Sequence, residues 1–92
     1  MPIWKPAAVA DRKAIAEYIA RDKPLAAVEL VDLVIERAGM LDNHPKAGRP
    51  GRIKGTYEWV VHPHYVVVYR LSGKPAQVEI LRVLHTSQMP TV

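Results

Sequence analysis

The sequence contains no cysteine, which removes disulfides, thiolate zinc sites, iron–sulfur clusters and cysteine nucleophiles together. A reducing compartment agrees with that absence. Long hydrophobic runs are missing too: the longest uninterrupted aliphatic or aromatic stretch is Tyr65 to Tyr69, against the roughly 20 residues of a membrane helix. The start, Met1-Pro2-Ile3-Trp4-Lys5-Pro6, lacks the apolar core of a signal peptide. No serine triad, Walker loop, dinucleotide fingerprint or zinc-finger spacing occurs. What remains is a chain of 92 residues with ordinary apolar and charged content. Two cores would leave each half too small to fold unaided, so residues 1–92 are expected to form a single domain.

The net charge of +4 is unevenly spread. Residues 11–42 hold seven acids and five bases, whereas residues 43–92 hold seven bases (Lys46, Arg49, Arg52, Lys54, Arg70, Lys74, Arg82) against Glu58 and Glu79. The basic second half suits nucleic acid, the ribosome or an acidic protein, or simply keeps a small protein soluble.

Local patterns give the element order. Ile3-Trp4-Lys5 reads as an edge strand stopped by Pro6. From Ala7 to Arg21 there is no glycine or proline, and Ile15, Tyr18 and Ile19 recur at helical spacing. Asp22 is expected to cap a second helix with Pro24 in its first turn, running to about Leu41 before Asp42-Asn43-His44-Pro45 stops it. This helix carries two adjacent apolar stripes, Val28, Val31, Ile35 and Ala38 beside Ala27, Leu30, Val34 and Leu41. One sheet face covers one stripe, so the second set is expected to be surplus surface for a partner; a helix sandwiched between sheet and first helix is the alternative. Lys46 to Gly55 is a basic, glycine- and proline-rich loop, and Tyr57–His62, Tyr65–Leu71 and Gln77–Leu84 are consecutive antiparallel strands. The fold class is therefore α+β: a strand, a helix hairpin and a three-stranded meander, one sheet with helices on one face.

A two-residue turn at Gly73-Lys74 would pair Leu71 with Ala76, Tyr69 with Val78, Val67 with Ile80 and Tyr65 with Arg82. Val67, Tyr69, Val78, Ile80 and Leu84 then pack under the helices, and His64, Arg70 and His85 lie on the open face.

His62, His64 and His85 converge in this register. Imidazoles titrate near neutrality, so they could act as acid and base on a ribose hydroxyl and a leaving oxygen, or they could merely bracket Pro63 and end a strand. Zinc binding is not expected, for want of a nearby carboxylate. Arg49, Arg52 and Lys54 form a basic loop able to meet phosphate or to remain solvated. Arg70 offers a guanidinium for a phosphoryl transition state, or a diagonal cross-strand partner for Glu79.

Three runs, Gly48-Arg49-Pro50-Gly51-Arg52-Ile53-Lys54-Gly55-Thr56-Tyr57-Glu58, Val61-His62-Pro63-His64-Tyr65-Val66-Val67-Val68-Tyr69-Arg70-Leu71 and Val78-Glu79-Ile80-Leu81-Arg82-Val83-Leu84-His85, closely resemble the RelE/ParE family of bacterial toxins. Ala8 to Leu41 resembles that family's helix hairpin. The resemblance implies a cytoplasmic growth inhibitor that forms a hetero-oligomer with a small antitoxin encoded beside it, and it implies neither a cofactor nor a membrane. Family members act in two ways: ParE-like toxins poison DNA gyrase, and RelE-like toxins cleave mRNA on the ribosome. Tyr69-Arg70-Leu71 and Ile80 to His85 resemble the ParE-like branch. RelE-type ribonucleases usually carry an arginine where Tyr65 stands, and the tail Thr86 to Val92 has neither their basic residues nor their tyrosine. A histidine-using ribonuclease branch has a histidine resembling His85 and an acid in place of His64.

Gyrase binding is thus the expected activity, with Arg49, Arg52, Lys54 and Arg82 as target contacts and Ala27, Leu30, Val34 and Leu41 as antitoxin contacts. The alternative is an mRNA endonuclease using His64, Arg70 and His85. A nucleic-acid-binding module without toxicity is a third reading.

Overall fold

The computed structural model describes residues 1–88; the end of the tail, 89–92, lies outside the described residues. Strand β1 (Ile3–Trp4) leads into helices α1 (Pro6–Ala20) and α2 (Pro24–Gly39), a single 3-10 turn (Met40–Asp42), and strands β2 (Arg49–Pro50), β3 (Tyr57–His62), β4 (Tyr65–Ser72) and β5 (Gln77–His85). Both helices begin on a proline, whose fixed φ suits the first turn and whose missing N–H is no loss there. Asp22 does not cap α2. The N-cap is Lys23, with no side-chain cap bond.

The five strands form one sheet in the order β1-β5-β4-β3-β2. The expected meander is its centre. β1 adds to it in parallel, pairing Ile3 with Glu79 and Trp4 with Ile80. The stretch read as a basic loop contributes the opposite edge, where Arg49 pairs with Glu58 and Pro50 with Tyr57. Proline at that position is tolerated because an edge strand can do without one donor.

The β4–β5 register differs from expectation twice. Ser72 pairs with Gln77, so the loop has four residues and not two; Leu71 lies opposite Val78 and Tyr69 opposite Ile80. That displacement is by two, which keeps every side chain on its expected face. A β-bulge then leaves Leu81 unpaired, after which Val67 faces Val83 and Tyr65 faces His85. One extra residue inverts the faces beyond it. Val67, Tyr69, Val78 and Ile80 lie in the core as expected, but Val83 takes the place expected for Leu84. His85 correspondingly leaves the open face and lines a small cleft with Ala14, Ile15 and Tyr18 of α1.

The core also takes in Ala8, Val34, Ala38, Leu41 and Val61, with Leu30 packed against it. Ala27, Val34 and Leu41 are 4%, 3% and 0% exposed. The stripe expected to be spare is therefore the inward one. The outward face of α2 carries Leu25, Val28 and Ile35 instead. Periodicity locates two adjacent stripes but does not say which of them the sheet covers.

Candidate functional site

Three regions carry the residues singled out above. The first is the sheet end where β3 turns into β4. His62 pairs with Tyr65 across the turn and Tyr65 pairs with His85, while the Thr86 N–H donates to the His64 carbonyl at 2.8 Å. These pairings bring the three imidazoles together: ring centroids are 5.6 Å apart for His62 and His64, and 5.7 Å for His64 and His85, whose planes differ by 3°. The Tyr65 ring meets His85 edge-on at 5.3 Å.

Two of the rings have a fixed acceptor. His62 Nδ1 accepts the His64 N–H at 3.1 Å, and His85 Nδ1 accepts the Ser87 N–H at 3.0 Å. The proton of each neutral ring therefore sits on Nε2. Burial, with smaller contributions from His64 and Arg37, pushes the His62 pKa below its ordinary value. Burial also raises the Tyr65 phenol, with Tyr18 adding to the effect. No group of three or more His, Asp or Glu side chains among the described residues could hold a metal ion.

Arg70 does not join this cluster. It lies near the other end of β4, directly opposite Glu79 rather than diagonal to it, with Nε donating to Glu79 at 2.6 Å. This hydrogen bond is the first cause holding the Glu79 carboxyl below its usual range. Of the three residues considered for ribonuclease chemistry, the structure unites His64 and His85 and separates Arg70 from them.

The second region is the loop between β2 and β3. Glu58, 6% exposed, organises it: one carboxylate oxygen takes Arg49 Nε at 3.1 Å, and the other takes the Arg52 N–H at 3.3 Å. Arg49 is thus committed to a carboxylate, while the side chains of Arg52 and Lys54 project outward. Arg82, the fourth cation singled out, belongs to the same cross-sheet row, since Arg49 pairs with Glu58, Glu58 with Val68 and Val68 with Arg82. It is tied to Asp11 at 2.6 and 3.0 Å. The sequence reading missed the parts played by Asp11 and Glu58. A lone acid in the strand that follows the basic loop was the one available signal for Glu58; nothing local marks Asp11, 71 positions from Arg82.

The third region is an open groove of about 460 Å³ between α1 and α2. Ala16 and Ala20 on α1 face Ala27, Val28 and Val31 on α2, with Glu17 and Asp32 at the rims. Three of its lining residues, Ala16, Ala20 and Ala27, are alanines, which leave room that larger side chains would fill. This surface, rather than the inward stripe, is where the helix hairpin presents apolar atoms.

Comparison with known proteins identifies the group. The sequence model described as "ParE toxin of type II toxin-antitoxin system, parDE" matches residues 3–90. The chain is 41% identical over 75 residues to the Y4kP protein of Sinorhizobium fredii, covering 80% of this chain and 75% of that one. It is 32% identical over 87 residues to toxin RelE2 of Caulobacter vibrioides, covering 95% and 96% of the two chains. Among solved structures, a chain of the chromosomal ParDE toxin–antitoxin system from P. aeruginosa superposes with a TM-score of 0.80 at 26% identity, over 92% of this chain and 95% of that one. The YoeB/ParE toxin from Agrobacterium tumefaciens shares the fold, with a TM-score of 0.64 at 18% identity over 92% and 98% of the two chains. The third reading, a module without toxicity, gives way to these findings: the chain belongs to the ParE toxin family of type II toxin–antitoxin systems.

Proposed function

We propose that this toxin arrests growth by binding and inhibiting DNA gyrase, and that its antitoxin neutralises it from the helix hairpin. The observation that carries the gyrase reading is the pairing of Arg70 with Glu79 at 2.6 Å, remote along β4 from His64 and His85. Phosphoryl transfer needs acid, base and transition-state cation in one place, and a protein-binding inhibitor needs none of them. Purified toxin should block supercoiling by gyrase and leave translated mRNA intact. Ribosome-dependent cleavage with supercoiling untouched would overturn the proposal.

One observation favours the ribonuclease reading as a second choice: the nearly parallel, stacked His64 and His85 rings at 5.7 Å, with His64 exposed. Primer extension on translated mRNA with His64→Ala and His85→Ala variants tests it. Both targets are cytoplasmic, and so is the proposed site of action.

For the antitoxin we propose an amphipathic segment seated in the groove over Ala16, Ala20, Val28 and Val31, continuing as an acidic stretch towards the cations of the second half. A segment that orders on binding can cover both surfaces, and the charge contrast speeds its association.

A further inference from the structure

The six residues joining β2 to β3, Gly51 to Thr56, make a hairpin tip held from several directions. The Gly51 N–H donates to the Thr56 carbonyl at 2.8 Å and the Thr56 N–H to the Ile53 carbonyl at 3.1 Å. The Thr56 hydroxyl donates to that same carbonyl at 2.6 Å, and the Arg52 N–H reaches the buried carboxylate of Glu58. Gly51 admits no side chain, because a Cβ there would collide with the Thr56 hydroxyl. Gly55 turns the chain at φ 86°, a conformation that glycine adopts without strain. The loop is shaped by its own bonds.

At its tip stands Ile53, 71% exposed, between the exposed side chains of Arg52 and Lys54. An isolated surface isoleucine would need no explanation. This one sits between two exposed cations of the basic second half. Arg49, Arg70 and Arg82 of the second half are each bound to a carboxylate. Among the described residues of the second half, that leaves the side chains of Lys46, Arg52, Lys54 and Lys74 without a carboxylate within 4.0 Å, and three of these four belong to the segment around this tip.

From this geometry we infer that the Arg52-Ile53-Lys54 tip is a docking finger for the target protein, inserting Ile53 into an apolar pocket rimmed by carboxylates. A loop built for phosphate would offer backbone amides and small side chains at its apex. Here a branched aliphatic side chain occupies the apex, and the cations flank it. Nucleic-acid backbone contacts would use the two cations and leave Ile53 in water. A protein pocket uses all three: the apolar side chain anchors, and the two charges orient the encounter and reject pockets with basic rims. Because its hydrogen bonds fix its shape beforehand, the finger loses little conformational freedom on docking.

This inference rests on the reading of the target as a protein, gyrase, and the test keeps the two apart. Full-length toxin, Ile53→Ser and the double variant Arg52→Ser/Lys54→Ser are compared in gyrase supercoiling inhibition, in growth arrest on expression, in melting temperature and in antitoxin binding. Ile53→Thr provides a second substitution at the apex. The expected result is a rise of at least tenfold in the concentration of Ile53→Ser or Ile53→Thr giving half-inhibition, with melting and antitoxin binding unchanged. The double variant should also weaken inhibition and should lose most of its salt dependence.

Equal inhibition by wild type and the Ile53 variants would overturn the finger while leaving gyrase as the target. If wild type does not inhibit gyrase at all, the gyrase reading fails and growth arrest decides the finger: arrest lost in both Ile53 variants supports it, and arrest retained overturns it. Loss of arrest in the double variant alone would mean phosphate contacts, and it too would overturn the inference.

Discussion

The carboxylate of Asp11 holds both Arg82 Nε, at 2.6 Å, and the backbone N–H of Val83, at 2.9 Å. β1 stops at Trp4, opposite Ile80, so the outer edge of β5 beyond that point has no neighbouring strand. A side chain from α1 completes it. This single acid locks the helix hairpin to the strand that lies between β1 and β4.

Asp11→Ala should therefore cost more than Arg82→Ala. Removing Asp11 strands a part-buried N–H, worth about 1–3 kcal/mol. Removing Arg82, a half-exposed guanidinium, forfeits only a surface ion pair of about 0–1 kcal/mol. Urea denaturation of the two variants checks the order, and equal losses would refute it.

A substitution on each stripe of α2 separates core from docking surface. Leu30 packs against the core, so Leu30→Asp should unfold the free toxin, as a buried unpaired carboxylate does. Val28, 57% exposed, borders the groove, so Val28→Asp should fold normally and weaken antitoxin binding. Circular dichroism and binding titration give the two readouts.

Tyr69 anchors the crossing of the segment before β2. Its hydroxyl donates to the Pro45 carbonyl at 2.8 Å and accepts the Gly48 N–H at 3.0 Å, while its ring stacks on Tyr57 at 5.3 Å. Tyr69→Phe should destabilise by about 1–3 kcal/mol through the unsatisfied N–H. Gly48→Ala should be at least as harmful, since a Cβ would lie 2.8 Å from the Glu58 carbonyl and from the Tyr69 hydroxyl. Ile80→Ala, at a fully buried position, should cost about 2–5 kcal/mol. Denaturant melts of the three variants measure these losses.

Stability should fall on mild acidification. The folded pKa of His62 lies below its ordinary 6.5, so the unfolded chain binds the proton more readily than the folded one. The neutral ring's contribution is complete above about 6.5 and is lost as pH drops from there towards the folded value. Protonation also removes the Nδ1 acceptor from the His64 N–H. Melting temperatures between pH 7.5 and 5 should decline in wild type and decline less in His62→Gln; identical slopes would exclude His62 as a cause.

Strand and helix identities were legible because Tyr65 to Leu71 and Gln77 to Leu84 are dense in β-branched residues, because Ala7 to Arg21 is free of glycine and proline, and because Pro24 marks a helix start; Pro6, read as the stop of a strand, is also the first residue of α1. The faces of the sheet were legible up to the bulge. Nothing in Ile80-Leu81-Arg82 announces that Leu81 goes unpaired, and this one residue decides the sides on which Val83, Leu84 and His85 fall. Charge was the least legible property. The sequence names Glu79 as an alternative partner for Arg70 but none for Arg49 and Arg82, yet both have their carboxylate, the first from a neighbouring strand and the second from a helix. β2 escaped notice because two residues, one of them proline, carry no alternation to detect.

The parallel pairing of β1 with β5 joins residues 76 positions apart, Trp4 to Ile80, and the Lys5 N–H reaches the Ile80 carbonyl at 2.9 Å. Contacts of such separation form late, because a long loop must close first. During synthesis the helices and the β3–β4 hairpin can form early, but the layer beneath them stays incomplete until residues up to 85 have left the ribosome. The sheet that carries the histidine cluster is therefore closed only once β5, the last strand to be made, has been placed between β1 and β4.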